Sequence, residues 1–137
     1  HKGGAKFCYI MSTALMTRLP KMVDMEVDLM FGIDPIQGGA DLQKAKEITR
    51  NKLCLWGGVN AAVSLTYANK AQLGKEVADA IHTIGPGGGF ILSAIDQLFD
   101  FNPWEKIDAM VEAWRRMSAY PLAGGPCTPT RGSSTTS

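Results

Sequence analysis

The stretch Leu53-Cys54-Leu55-Trp56-Gly57-Gly58-Val59-Asn60 decides how this chain is read. Its apolar run, 52–56, is of strand length, lacks the polar alternation of a half-buried strand, and stops at two glycines. Strands that are apolar throughout belong to parallel sheets covered on both faces. A short apolar stretch starts near Asn60, and a longer helix is expected at about 71–84, with Leu73, Val77, Ile81 and Ile84 on one face.

The same alternation extends outward in both directions. Upstream, 6–11 reads as a first strand, and Leu15, Met16, Leu19, Met22 and Val23 follow at helical spacing that Pro20 is expected to interrupt. A second strand is expected at 27–31, then a helix capped by Asp41 and running through Arg50, with Leu42, Ala45 and Ile48 inward. Downstream, Gly85-Pro86-Gly87-Gly88-Gly89 stops the long helix and 90–93 forms a fourth strand. Pro103-Trp104 then opens a last helix with Ile107, Val111 and Trp114 inward. Four β-α units in a row imply an α/β fold of parallel strands with right-handed crossovers. A doubly wound sheet and half of a closed barrel both fit that pattern.

Length narrows the choice. At 137 residues the chain is too short for a complete eight-stranded α/β barrel, which takes about 250 residues. Fourteen basic against thirteen acidic side chains leave a net charge of +1, which argues against nucleic-acid or anionic-membrane partners. No apolar run approaches the roughly 18 residues of a membrane span. The chain opens at His1 without a secretion signal, so it is expected to be processed or a fragment. Cys8, Cys54 and Cys127 are widely separated, form no CxxC pair and fit a reducing cytoplasm, with Cys8 and Cys54 expected as buried, inert thiols. Residues 1–120 read as the folded part, and 121–137 as a flexible low-complexity tail.

Parallel α/β sheets bind ligands at the carboxyl ends of their strands. That rule selects Ser12 with Thr13, Asp34 with Gln37, Gly57, Gly58 and Asn60, and Ser93 through to Asp96. Asp34 before Pro35 suits a general acid or base, or equally a turn-forming carboxylate bonded to local backbone. Asp96 is a second candidate carboxylate, or a solvated loop residue. The paired glycines permit either a close-lying ligand or a tight turn. The run 85–89 is no phosphate cradle, because it follows a helix and precedes a strand, and Phe90 stands where GxGxxG needs its third glycine. His82 lies beside the apolar stripe of its helix and reads as a surface residue.

Three segments together, 53–60, Pro86-Gly87-Gly88-Gly89-Phe90-Ile91-Leu92-Ser93 and Met110-Val111-Glu112-Ala113-Trp114, resemble the C-terminal half of the uroporphyrinogen decarboxylase superfamily. Residues 27–34, ending in Asp34 before Pro35, resemble its preceding strand, so the likeness covers about 1–120. The resemblance implies a (β/α)8 TIM-barrel family fold, of which this chain holds about the last four β/α units. It also implies an enzyme, either the haem-pathway decarboxylase or a methyltransferase that uses a corrinoid, some members being zinc-dependent.

The decarboxylase's Gly-His-Gly and Gly-Asn-Leu-Asp-Pro motifs are replaced here by Ile95-Asp96-Gln97 and Gly57-Gly58-Val59-Asn60-Ala61. Its zinc-dependent relatives carry His-x-Cys and a further Cys, and neither 9–12 nor 93–96 supplies a His or Cys, so no zinc site is expected from these residues. The leading expectation is a methyltransferase-like protein acting with a corrinoid, or on a small methylated substrate, with a corrinoid protein as a possible partner. Asp34 and Asp96 would be catalytic, and Ser12, Gln37, Gly57, Gly58, Asn60 and Ser93 would bind substrate. The alternatives are tetrapyrrole decarboxylation, and a non-catalytic half-barrel that self-associates into a homo-oligomer through its strand edges.

Overall fold

A computed structural model describes residues 3–11, 13–119 and 122. Nine elements follow one another: β1 Cys8–Ile10, α1 Leu15–Asp24, β2 Leu29–Ile33, α2 Leu42–Thr49, β3 Cys54–Asn60, α3 Ser64–Tyr67, α4 Lys70–Ile84, β4 Phe90–Ile95 and α5 Trp104–Met117. The four strands form one parallel sheet in the order β1-β2-β3-β4.

Local chemistry sets the helix starts. The Asp41 carboxylate accepts the Lys44 N–H at 2.9 Å ahead of α2. Asn69 and Gln72 form a reciprocal capping box at the start of α4. Within the helices, α1 packs on α2, α2 on α4 and α4 on α5, a single layer in chain order. That layer covers one face of the sheet. Leu19 and Met22 of α1 meet Met30 of β2 and Leu55 of β3 in one core cluster, while Val59 of β3 meets Leu73, Val77 and Ile81 of α4 and Ala113 of α5 in a second.

Sequential strand order with helices on one face decides between the two architectures the pattern left open: the sheet is wound in one direction, as in a barrel wall, and is not doubly wound. The opposite face carries the row Ile10, Phe31, Trp56, Ile91, aligned across all four strands. Phe31 and Trp56 pack edge-on with ring centres 5.2 Å apart, whereas Ile10 is 71% and Ile91 41% exposed.

Several expectations are corrected. Helix α1 runs unbroken through Pro20, because Leu15, Leu19 and Met22 bury one stripe on both sides of it. The glycines 57 and 58 lie inside β3 and do not follow it. On α5 the inward face is Ala109, Met110, Ala113 and Met117, and Trp114 is 43% exposed. Small Ala113 allows α5 to approach α4, which a tryptophan stripe would prevent. Cys8 is exposed on β1, while Cys54 is partly buried, its thiol pushed up by burial. His82 is exposed, as expected. Of the expected tail, only Leu122 lies within the described residues; it is buried in the second cluster. His1 and Cys127 lie outside them.

Candidate functional site

Two strand ends carry the polar groups that matter, and they are built differently. At the end of β2, Asp34 is buried. Its Oδ1 accepts the Ile36 N–H at 2.8 Å, and its Oδ2 accepts the Gly38 N–H at 3.2 Å and the Asn60 amide at 2.8 Å. Its main-chain carbonyl accepts the Ala40 N–H at 2.9 Å. One residue thereby folds the 34–40 loop back on itself, an Asx-type turn.

Asn60, the last residue of β3, is fully buried. Its Nδ2 donates to Asp34 and, at 2.9 Å, to Gln37 Oε1, while its Oδ1 accepts the Val63 N–H at 2.6 Å. Its own N–H donates to Glu76 Oε1 at 2.8 Å. The Asn60 amide is therefore fully engaged, as a buried polar group must be to avoid a desolvation penalty.

Glu76, on α4, was not found by sequence reasoning. Burial pushes its carboxyl above the usual range, the nearby Asp34 and Asp79 charges add to that, and hydrogen bonds from Ser64 and the Asn60 N–H act the other way. It lines a cavity of about 490 Å³ with Pro35, Ile36, Val63, Tyr67 and Gln72. Its signal in the sequence is faint: a carboxylate directly beside Val77 on the apolar side of a helix.

At the end of β4, Asp96 follows Ile95 directly, is exposed, and has the left-handed φ of 71°. Among the described residues its carboxylate makes no hydrogen bond, so it takes no part in the Asp34–Gln37–Asn60 network. Asn102 fastens the loop beyond it, accepting the Phe99 N–H at 2.8 Å and donating to Ala61 O at 3.3 Å and Thr66 Oγ1 at 3.0 Å. Asn102-Pro103 ahead of a helix was the available signal for that anchor.

The remaining expected site residues separate as follows. Ser93 lies within β4, partly buried, its hydroxyl donating to Ala94 O at 3.2 Å. Ser12 lies outside the described residues. At Gly57 and Gly58 the space a side chain would take is filled by the chain itself. A Cβ on Gly57 would fall 2.1 Å from Ile95 Cδ1 and 2.7 Å from Ile33 O, and one on Gly58 2.9 Å from Ala80 Cβ. With φ of 142° and 99°, the two glycines answer to backbone conformation and close packing. Among the described residues no three His, Cys, Asp or Glu side chains cluster as metal ligands.

The glycine run 85–89 lies at the opposite end of the sheet, leading into β4. Lys46 Nζ donates to Ile84 O at 2.6 Å and Gly88 O at 2.9 Å, and burial lowers its ammonium's pKa. This corner is a structural clasp remote from the strand ends where ligands bind.

A one-way parallel sheet with its polar residues at the strands' carboxyl ends is now joined by a sequence comparison. The uroporphyrinogen decarboxylase (URO-D) family profile matches residues 3–117. The chain belongs to the uroporphyrinogen decarboxylase family. Its sheet and single helical layer fit part of that family's α/β barrel. The comparison with curated proteins finds no match. Among the described residues, no helix is long and apolar enough to cross a membrane.

Proposed function

We propose that this uroporphyrinogen decarboxylase family chain forms the C-terminal half of a barrel that binds an amide-rimmed corrinoid at its strand ends and serves methyl transfer to a small acceptor in the cytoplasm. The observation that carries this reading is the character of the strand-end side chains. Asp34, Gln37, Asn60, Asp96 and Gln97 are carboxylates and amides, and Lys75, the cation lining the neighbouring cavity, is paired with Asp79 at 2.5 Å.

A uroporphyrinogen carries eight carboxylates and needs cationic partners to offset their desolvation, whereas a corrinoid rim of neutral amides is matched by amide and carboxylate side chains. Gln37 and Gln97 would hold that rim, and the bound corrinoid supplies the transferable methyl group. Asp34 and Asn60 act as positioning residues, fixing Gln37. Asp96, exposed at the end of β4 and unbonded among the described residues, takes the proton of the acceptor, the role of a general base.

The test is anaerobic incubation with methylcobalamin and thiol acceptors, followed by absorbance. Demethylation should be seen with the wild-type protein and should fall about 100-fold in Asp96→Asn, the low end of a general base's contribution. Conversion of uroporphyrinogen to coproporphyrinogen, with cobalamin untouched, would replace this reading by decarboxylation.

A further inference from the structure

The cavity of about 490 Å³ beside Glu76 lies between the 34–40 loop and α2 on one side and α3 and α4 on the other, and none of its lining belongs to β1, β4 or α5. Its size is that of a small-ligand site. Pro35, Ile36, Leu42, Val63 and Tyr67 give it mostly apolar walls. Three charged side chains complete it, Lys75, Glu76 and Asp79. Lys75 and Asp79 neutralise each other at 2.5 Å, and both are solvent-exposed. Glu76 is left, among the described residues, with no cationic partner. The Asn60 N–H and the Ser64 side chain donate to it, and a carboxylate with about four acceptor sites can take further donors. The same apolar surroundings that withhold water from Glu76 make a cation beside it favourable, because opposite charges attract more strongly where solvent is excluded.

From this arrangement we infer that the cavity binds a small organic ammonium, a primary amine on a hydrocarbon body. The ammonium donates to Glu76, and the body lies along Ile36 and Val63, with the Tyr67 ring, 80% exposed at the mouth, free to cover it. An anion would meet two carboxylates against one ammonium that is already paired. A bare divalent cation would find too few oxygens, since among the described residues no three acidic, His or Cys side chains converge. Occupancy reaches the strand ends by two short links. Glu76 Oε1 holds the Asn60 N–H, and the wall residue Ile36 donates its N–H to Asp34. The cavity is thus an effector site behind the Asp34–Gln37–Asn60 network. This inference rests on the cavity and does not depend on the methyl-transfer reading.

Calorimetric titration of the full chain near neutral pH tests it, with phenethylamine as the ammonium and phenethyl alcohol and phenylacetate as its neutral and anionic counterparts. The amine should saturate one site per chain and bind about tenfold tighter than the alcohol, the margin of a charge-assisted over a neutral hydrogen bond, and phenylacetate should not bind. Hydrogen exchange at the Ile36 and Asn60 amides should slow when the amine is present. Glu76→Gln should erase the tenfold preference while the alcohol binds as before. Ala68→Phe, which fills the cavity from its wall, should abolish binding with unchanged circular dichroism, and it serves if Glu76→Gln fails to fold. No saturation by the amine, alcohol or phenylacetate binding as tightly as the amine, or a preference that survives either variant would each overturn the inference.

Discussion

The end of β2 and the end of β4 present the same residue type, an aspartate just past an apolar strand, in opposite states. Asp34 is buried and accepts three hydrogen bonds through its carboxylate, whereas Asp96 is exposed and, among the described residues, accepts none. The first spends its acceptor capacity on holding a loop; the second keeps it for solvent or a ligand. Position at a strand end therefore selects candidates, and hydrogen-bond saturation separates those that position from those that are free to react.

The sharpest way to break this comparison is at Asn60, which joins the β2 and β3 ends. Asn60→Leu strips donors from Asp34 and Gln37 and the acceptor from Val63, and should cost about 4 kcal/mol in urea unfolding, several buried groups being left unpaired. A loss below about 1 kcal/mol would show that water replaces the amide and the network is loose. Next in size, Gly57→Ala should cost about 3 kcal/mol, since it meets Ile95 and Ile33 O at a strained φ. If it were tolerated, the strand end would be plastic and the glycines would be free to serve a ligand.

A smaller effect of opposite sign is expected at Asp96. Asp96→Gly relieves a left-handed conformation and should stabilise the chain by about 0.5 kcal/mol while lowering the proposed methyl transfer about 100-fold.

The smallest effect is pH-linked. Burial raises the Glu76 carboxyl above its ordinary value of 4.5, so the folded chain holds this proton more tightly than the unfolded one. The stabilisation is complete below that ordinary value and is lost as pH rises through the raised one. Glu76→Gln, which stays neutral, should therefore gain stability relative to wild type as pH rises above the ordinary carboxylate value, read by thermal unfolding at several pH values. A constant difference would mean that water screens the group fully.

Much of this was legible in the sequence, for identifiable reasons. The mostly apolar runs 27–31, 52–56 and 90–93 announced strands of a parallel sheet, and the structure pairs them in parallel. The strand-end rule then found Asp34, Gln37 and Asn60, which the structure does bring together. Glu76 was missed because its partner Asn60 lies sixteen residues away and helix periodicity says nothing of a carboxylate's bonds. The inward face of α5 was misread because two apolar stripes coexist there, and burial followed small Ala113 over large Trp114. The glycines 57 and 58 read as a strand's end because a chain of letters does not reveal that Ile95 and Ala80 fill the space their missing side chains leave.

The most direct test of the division between the two strand ends is a matched pair of urea unfolding curves for Asp34→Asn and Asp96→Asn. In Asp34→Asn an amide must face the donors of Ile36, Gly38 or Asn60, and a loss of about 2–3 kcal/mol is expected. In Asp96→Asn, with no bond to lose and a residue that tolerates left-handed φ, the curve should stay within about 0.5 kcal/mol of wild type. Equal losses at the two positions, or a larger loss at Asp96, would contradict the assignment of one aspartate to structure and the other to chemistry.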